Sequence, residues 1–150
     1  MRLLVDKGVN KETKNDEGHT SLYLTVFNGK EAVARLLVDK HVNIEAQTNS
    51  ESTPLHITVL NGKESTVRLL INKQANVEAQ IVNKSTPLHF TVLNGHEIVA
   101  RLLVNRDANK EVKNDKGQTP LYLTTLNGHE IIARLLVDND ADKEAKNNKK

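Results

Sequence analysis

Cysteine is absent from the 150 residues. That excludes a disulfide framework, a thiolate metal site and a cysteine nucleophile. Tryptophan is absent too, and the only aromatics are two Tyr and two Phe. A compact core built on aromatic rings is therefore not expected. No stretch approaches the roughly 20 consecutive apolar residues of a membrane span. Met1-Arg2-Leu3-Leu4-Val5 is followed at once by Asp6 and Lys7, which is not the apolar run of a signal peptide. Neither sign of charge dominates: 21 Lys and Arg face 19 Asp and Glu, a net charge of +2. Charge thus gives no reason to expect a nucleic-acid or membrane partner. No G-x-S-x-G, P-loop, H-E-x-x-H or dinucleotide-binding fingerprint occurs. The expectation is a non-catalytic, intracellular, cytoplasmic protein without cofactor or metal.

What the chain does have is a period. Thr53-Pro54-Leu55-His56 returns as Thr86-Pro87-Leu88-His89 and as Thr119-Pro120-Leu121-Tyr122, with a degenerate copy at Thr20-Ser21-Leu22-Tyr23. The spacing is 33 residues each time. Asn28-Gly29, Asn61-Gly62, Asn94-Gly95 and Asn127-Gly128 keep the same interval, as do the leucine pairs from Leu3-Leu4 to Leu135-Leu136. Such self-similarity marks a repeat architecture. The full units are 15–47, 48–80, 81–113 and 114–146. Residues 1–14 match the second half of a unit and 147–150 the start of another. The whole chain, 1–150, reads as a single array.

Each unit predicts two helices. Thr53 before Pro54 is a hydroxyl N-cap followed by Pro at the first helical position, where its missing N–H is harmless. The helix ends at Asn61-Gly62, with Gly as the left-handed residue beyond the end. A second helix spans about 63–73, and its Val67, Leu70 and Ile71 make one apolar stripe. The pairs Glu31–Arg35, Glu64–Arg68, Glu97–Arg101 and Glu130–Arg134 lie four apart with Glu first, the favourable order on a solvated helix face. Two helices this short cannot enclose a core, so neighbouring units must stack into a solenoid.

Length, helix start, Asn-Gly stop and leucine pair together resemble the ankyrin repeat, with its T-P-L-H-x-A signature. The resemblance covers essentially the whole chain. It implies an all-α solenoid of antiparallel helix pairs with projecting β-hairpin-like loops, forming an open curved array. It also implies a protein-binding scaffold that uses the hairpin tips and the concave face of the first helices. Three departures stand out. Thr25, Thr58, Thr91 and Thr124 replace the signature Ala, and each hydroxyl can bond back to a carbonyl one turn earlier. Glu51 and Lys84 replace the turn glycines kept at Gly18 and Gly117, so those two hairpins are expected to be less regular. His41, Gln74, Asp107 and Asp140 replace the Gly that ends the second helix, and either strain that end or leave the helix by another route.

Candidate chemistry is sparse. In stacked units His56 and His89 lie roughly 8–10 Å apart, too far to share one metal ion at about 2 Å bond lengths. They resemble the family's structural histidine, as do His96 and His129 at their position. The candidate partner-binding residues are a column and a rim. Phe27, Leu60, Leu93 and Leu126 occupy one position near the end of the first helix. They form either an exposed apolar stripe, which marks a partner site, or ordinary packing beneath the hairpins. The tips beside them vary from unit to unit: Asp16, Glu17 and His19; Asn49, Ser50 and Ser52; Val82, Asn83 and Ser85; Asp115, Lys116 and Gln118. A second reading is a spacer segment or targeting module of a larger protein. Leu3 and Leu4 at one end and Ile131 and Leu135 at the other lack polar caps, so end-to-end self-association is expected.

Overall fold

The computed structural model describes residues 10–147, with side chains described through Asp138. Four first helices, α1 (Ser21–Phe27), α3 (Pro54–Leu60), α5 (Pro87–Asn94) and α7 (Pro120–Asn127), alternate with four second helices. These are α2 (Glu31–Asp39), α4 (Glu64–Asn72), α6 (Glu97–Val104) and α8 (Glu130–Asn147). First helices pack on first helices and second on second, in chain order. The result is an all-helical solenoid built of helix pairs, with no strand among the described residues.

The local signals act as their chemistry demands. Thr20 and Thr119 accept the N–H of Tyr23 and Tyr122 at 3.2 Å. At Thr53 and Thr86 a histidine completes the cap, because His56 Nδ1 and His89 Nδ1 accept the threonine N–H at 3.2 and 3.1 Å. That is a capping box with imidazole in the place of the usual Glu or Gln. The helix threonines bond back as expected, Thr58 Oγ1 to the Pro54 carbonyl at 2.7 Å and Thr91 Oγ1 to that of Pro87 at 2.9 Å.

The glycines that end α3 and α5 do two jobs. Gly62 and Gly95 lie at φ 62° and 71°. A Cβ on either would also sit 2.6 Å from the imidazole of His96 or His129. Those rings reach back across the joint: Nε2 of His96 donates to the Leu60 carbonyl at 3.0 Å and that of His129 to Leu93 at 3.4 Å.

Two expectations about departures resolve differently. Glu51 and Lys84 do not loosen their hairpins. They adopt φ 64° and 61°, inside the glycine range, and make the same turn bonds, to Thr48 at 3.0 Å and Ile81 at 2.8 Å, as Gly18 and Gly117 make. Neighbouring hairpins hold them: Asn49 N–H donates to the Glu17 carbonyl, Val82 to Ser50 and Asp115 to Asn83, at 3.0–3.3 Å. Three of the four helix ends take the strained form, and the fourth position takes neither expected form. His41, Gln74 and Asp107 take left-handed conformations at φ 57°, 66° and 58°, whereas Asp140 lies inside α8, which continues to Asn147.

The core runs unbroken through the stack. Leu22, Leu55 and Leu88 are fully buried, as are Val67, Leu70 and Val99, each worth roughly 1.5–3 kcal/mol of burial. A ladder of carboxylates stitches the units together. Glu12, Glu45 and Glu78 accept the backbone N–H of Asn43, Asn76 and Asn109 at 2.8, 2.8 and 2.6 Å. The next rung would join Glu111 to position 142, which lies within α8.

At the far end the open face differs from the expected one. Leu135 packs against the core and Ile131 is exposed. The residues that lose their cover are Leu121 at 36% exposure, Tyr122 at 53% and Val137 at 54%; their counterparts in the third unit, Leu88, His89 and Val104, are buried. Leu3 and Leu4 lie outside the described residues.

Candidate functional site

The last turn of each first helix carries an apolar residue of the expected column. The hairpins leave most of these residues open: Phe27 is 55% exposed, Leu93 45% and Leu126 63%. Leu60 is half-buried and packs against the core. The column is therefore not one continuous stripe. Its exposed members fall at the first, third and fourth units.

Between α5 and α7 and their hairpins lies a cleft of about 380 Å³. Phe90, Leu93, Leu123 and Leu126 supply its apolar lining, and Asn83, Ser85, Asn114, Asp115, Lys116 and Gln118 its polar lining, with His89 beside them. The expected residues Leu93, Leu126, Asn83, Ser85, Asp115, Lys116 and Gln118 thus come together. Phe27, Leu60, Asp16, Glu17, His19, Asn49, Ser50, Ser52 and Val82 lie outside its lining. Glu17 faces His19 Nδ1 at 3.0 Å, and the His19 ring stacks on Tyr23 with centroids 4.5 Å apart. Asn49 Nδ2 donates to the Asp16 carbonyl at 2.8 Å, and Ser50 meets Thr48 through hydroxyls 3.0 Å apart.

Phe90 and Leu123 were not singled out from the sequence. The available signal was spacing: each lies three residues before Leu93 or Leu126, and such residues share a helix face.

The cleft stands on a rigid histidine frame. His89 Nε2 contacts the Gln118 carbonyl at 3.1 Å while Nδ1 accepts from Thr86. Since Nδ1 accepts an N–H, the ring is neutral with its proton on Nε2, which donates to Gln118 and fixes the rim. Burial lowers the pKa of His89, outweighing the backbone carbonyls of Gln118 and Val112 and the Glu78 carboxylate, which favour the proton. The pKa of His56 is lowered to about 4, again mainly by burial. Its ring packs edge-on against Phe90 with centroids 5.7 Å apart. One unit's cap thereby supports the cleft floor of the next.

Among the described residues there is no group of three or more His, Asp or Glu side chains placed to hold a metal ion. No described helix is long and apolar enough to cross a membrane. Comparison with protein-family models matches residues 1–81 and 73–147 to a model described as ankyrin repeats (3 copies). Comparison with curated proteins gives no match.

Proposed function

The chain belongs to the ankyrin-repeat family, whose members are in general protein–protein interaction modules and not catalysts, and from that premise we propose that it binds a protein partner through the cleft between α5 and α7. Leu93 and Leu126 would anchor the partner, and the hairpin tips would select it. The observation that carries this reading is the exposure of those two leucines on the walls of a cleft with a polar rim. Apolar anchors surrounded by polar groups are the usual anatomy of a binding hot spot. Single exposed leucines are ordinary, but several gathered at one cavity are not. The intracellular, cytoplasmic setting and the extent of the array over 1–150 belong to the same proposal.

The test is partner capture by the chain and by its Leu93→Asp and Leu126→Asp variants, with circular dichroism melts in parallel. Both side chains are exposed, so the fold is expected to survive. Loss of capture with an unchanged melt supports the cleft; unchanged capture by both variants defeats it.

A second reading is a spacer or targeting segment whose end faces stack on further units or on another copy. The exposure of Leu121, Tyr122 and Val137 favours it, because the equivalent residues inside the array are covered. Sedimentation of the chain and of Val137→Asp separates the two. Concentration-dependent association that the substitution abolishes supports stacking, and a strict monomer counts against it.

A further inference from the structure

Resting on the reading of this cleft as a partner groove, we infer that its occupant is a peptide segment carrying one bulky apolar side chain with a carboxylate beside it. The apolar part follows from size and lining. A volume of about 380 Å³ lies near the bottom of the roughly 300–1,000 Å³ range of small-ligand sites. It suits one large side chain with its flanking backbone, and not a folded surface.

The carboxylate follows from which hydrogen-bonding groups of the rim are already occupied. The side-chain amide oxygens of the rim each already accept a hydrogen bond. Asn114 Oδ1 accepts the N–H of both Lys116 and Gln118 at 3.0 Å. Gln118 Oε1 accepts from Asn114 Nδ2 at 3.1 Å. Asn83 Oδ1 accepts the Ser85 N–H at 3.0 Å. The Asp115 carboxylate pairs with Lys84 Nζ at 3.5 Å.

The donors remain open. The side-chain amides of Asn83 and Gln118, the Lys116 ammonium and the Ser85 hydroxyl line the cleft and have no protein partner among the described residues. Ser85 is only 6% exposed, so this hydroxyl belongs to a buried residue at the wall and not to a mobile surface chain. Asp115 has the Lys84 ammonium at 3.5 Å, whereas among the described residues the Lys116 ammonium of the lining has no carboxylate paired with it. A rim whose donors, an ammonium included, have no partner among the described residues is complementary to an acceptor-only, negatively charged group. Asp, Glu or a terminal carboxylate supplies that group. A basic side chain there would set like charge against Lys116 and bring no acceptor to the rim's donors.

Selection of a displayed random dodecapeptide library on the folded chain tests this, followed by anisotropy titration of an enriched peptide. Enriched sequences are expected to share a Leu, Phe or Met next to Asp, Glu or the C-terminus. Lys116→Glu should weaken such a peptide about tenfold, and exchanging the peptide's acid for Lys should restore its binding to that variant. Lys116 is exposed, so the substitution does not threaten the fold. Enrichment without an acidic bias, no enrichment at all, or affinity indifferent to Lys116→Glu overturns the inference. In the first and last of these cases the groove reading survives if Leu126→Asp still abolishes binding. Binding that persists in a folded Leu126→Asp chain overturns the groove reading itself.

Discussion

At the scale of residues, small groups placed at fixed points of the repeat carry defined loads. His56 is neutral in the folded chain because burial holds its pKa near 4 against an ordinary 6.5. The unfolded chain therefore binds the extra proton between these two values. The stability tied to His56 is complete above about pH 6.5 and is lost as the pH falls toward 4, by an amount on the order of 3 kcal/mol. Denaturant melts at several pH values should show this slope, and His56→Gln should flatten it while keeping the capping box. An unchanged slope in the variant would place the proton uptake elsewhere. The glycines offer a second, sharper comparison. Gly62, Gly95 and Gly128 share φ values of 62°, 71° and 73°, but only the first two approach a histidine ring, and Gly128 has nothing within 4 Å. Gly128→Ala should lose only the left-handed strain, roughly 1–2 kcal/mol. Gly62→Ala should lose more, and a His96→Ala background should relieve the difference. Equal losses at the two positions would mean that the ring contact matters little.

At the scale of elements, the first helices were readable because their ends are local chemistry. Thr-Pro starts, Asn-Gly stops and back-bonded threonines need only their own turn, and each appears where the sequence puts it. Features that depend on a neighbouring unit were not readable. Leu60 and Leu93 are the same residue at the same helix position, yet one is half-buried and the other exposed. That difference is set by the flanking units, which a column of equivalent positions does not encode. Glu51 and Lys84 hold glycine-like turns in hairpins that bond to their neighbours through Asn49, Ser50, Val82 and Asn83, again a contact across units. The carboxylate ladder is of the same kind, since each rung joins residues 31 apart in the chain. Glu78→Ala should cost about 1.5–3 kcal/mol, the usual range for a hydrogen bond to a charged group. Glu111→Ala, which has no such rung among the described residues, should cost a few tenths. Thermal or denaturant melts that cannot tell the two apart would remove the ladder from the forces holding the units in register.

At the scale of the whole molecule, stacking is what turns weak units into a surface. No helix pair here closes its own core, and the cleft exists only because α5 and α7 are held side by side with their hairpins bonded in series. The apolar walls come from the first helices and the polar rim from the loops, so the fold keeps the frame constant while the tips vary. Leu121, Tyr122 and Val137 show the reverse case, positions that are covered in the third unit and exposed here. The most direct measurement is chemical-shift mapping of a bound peptide on the isotope-labelled chain. Shifts gathered on Phe90, Leu93, Leu123 and Leu126 and on the hairpins at 82–85 and 114–118 are the predicted result. Shifts confined to the outer faces of α6 and α8, or to the open end, would contradict it.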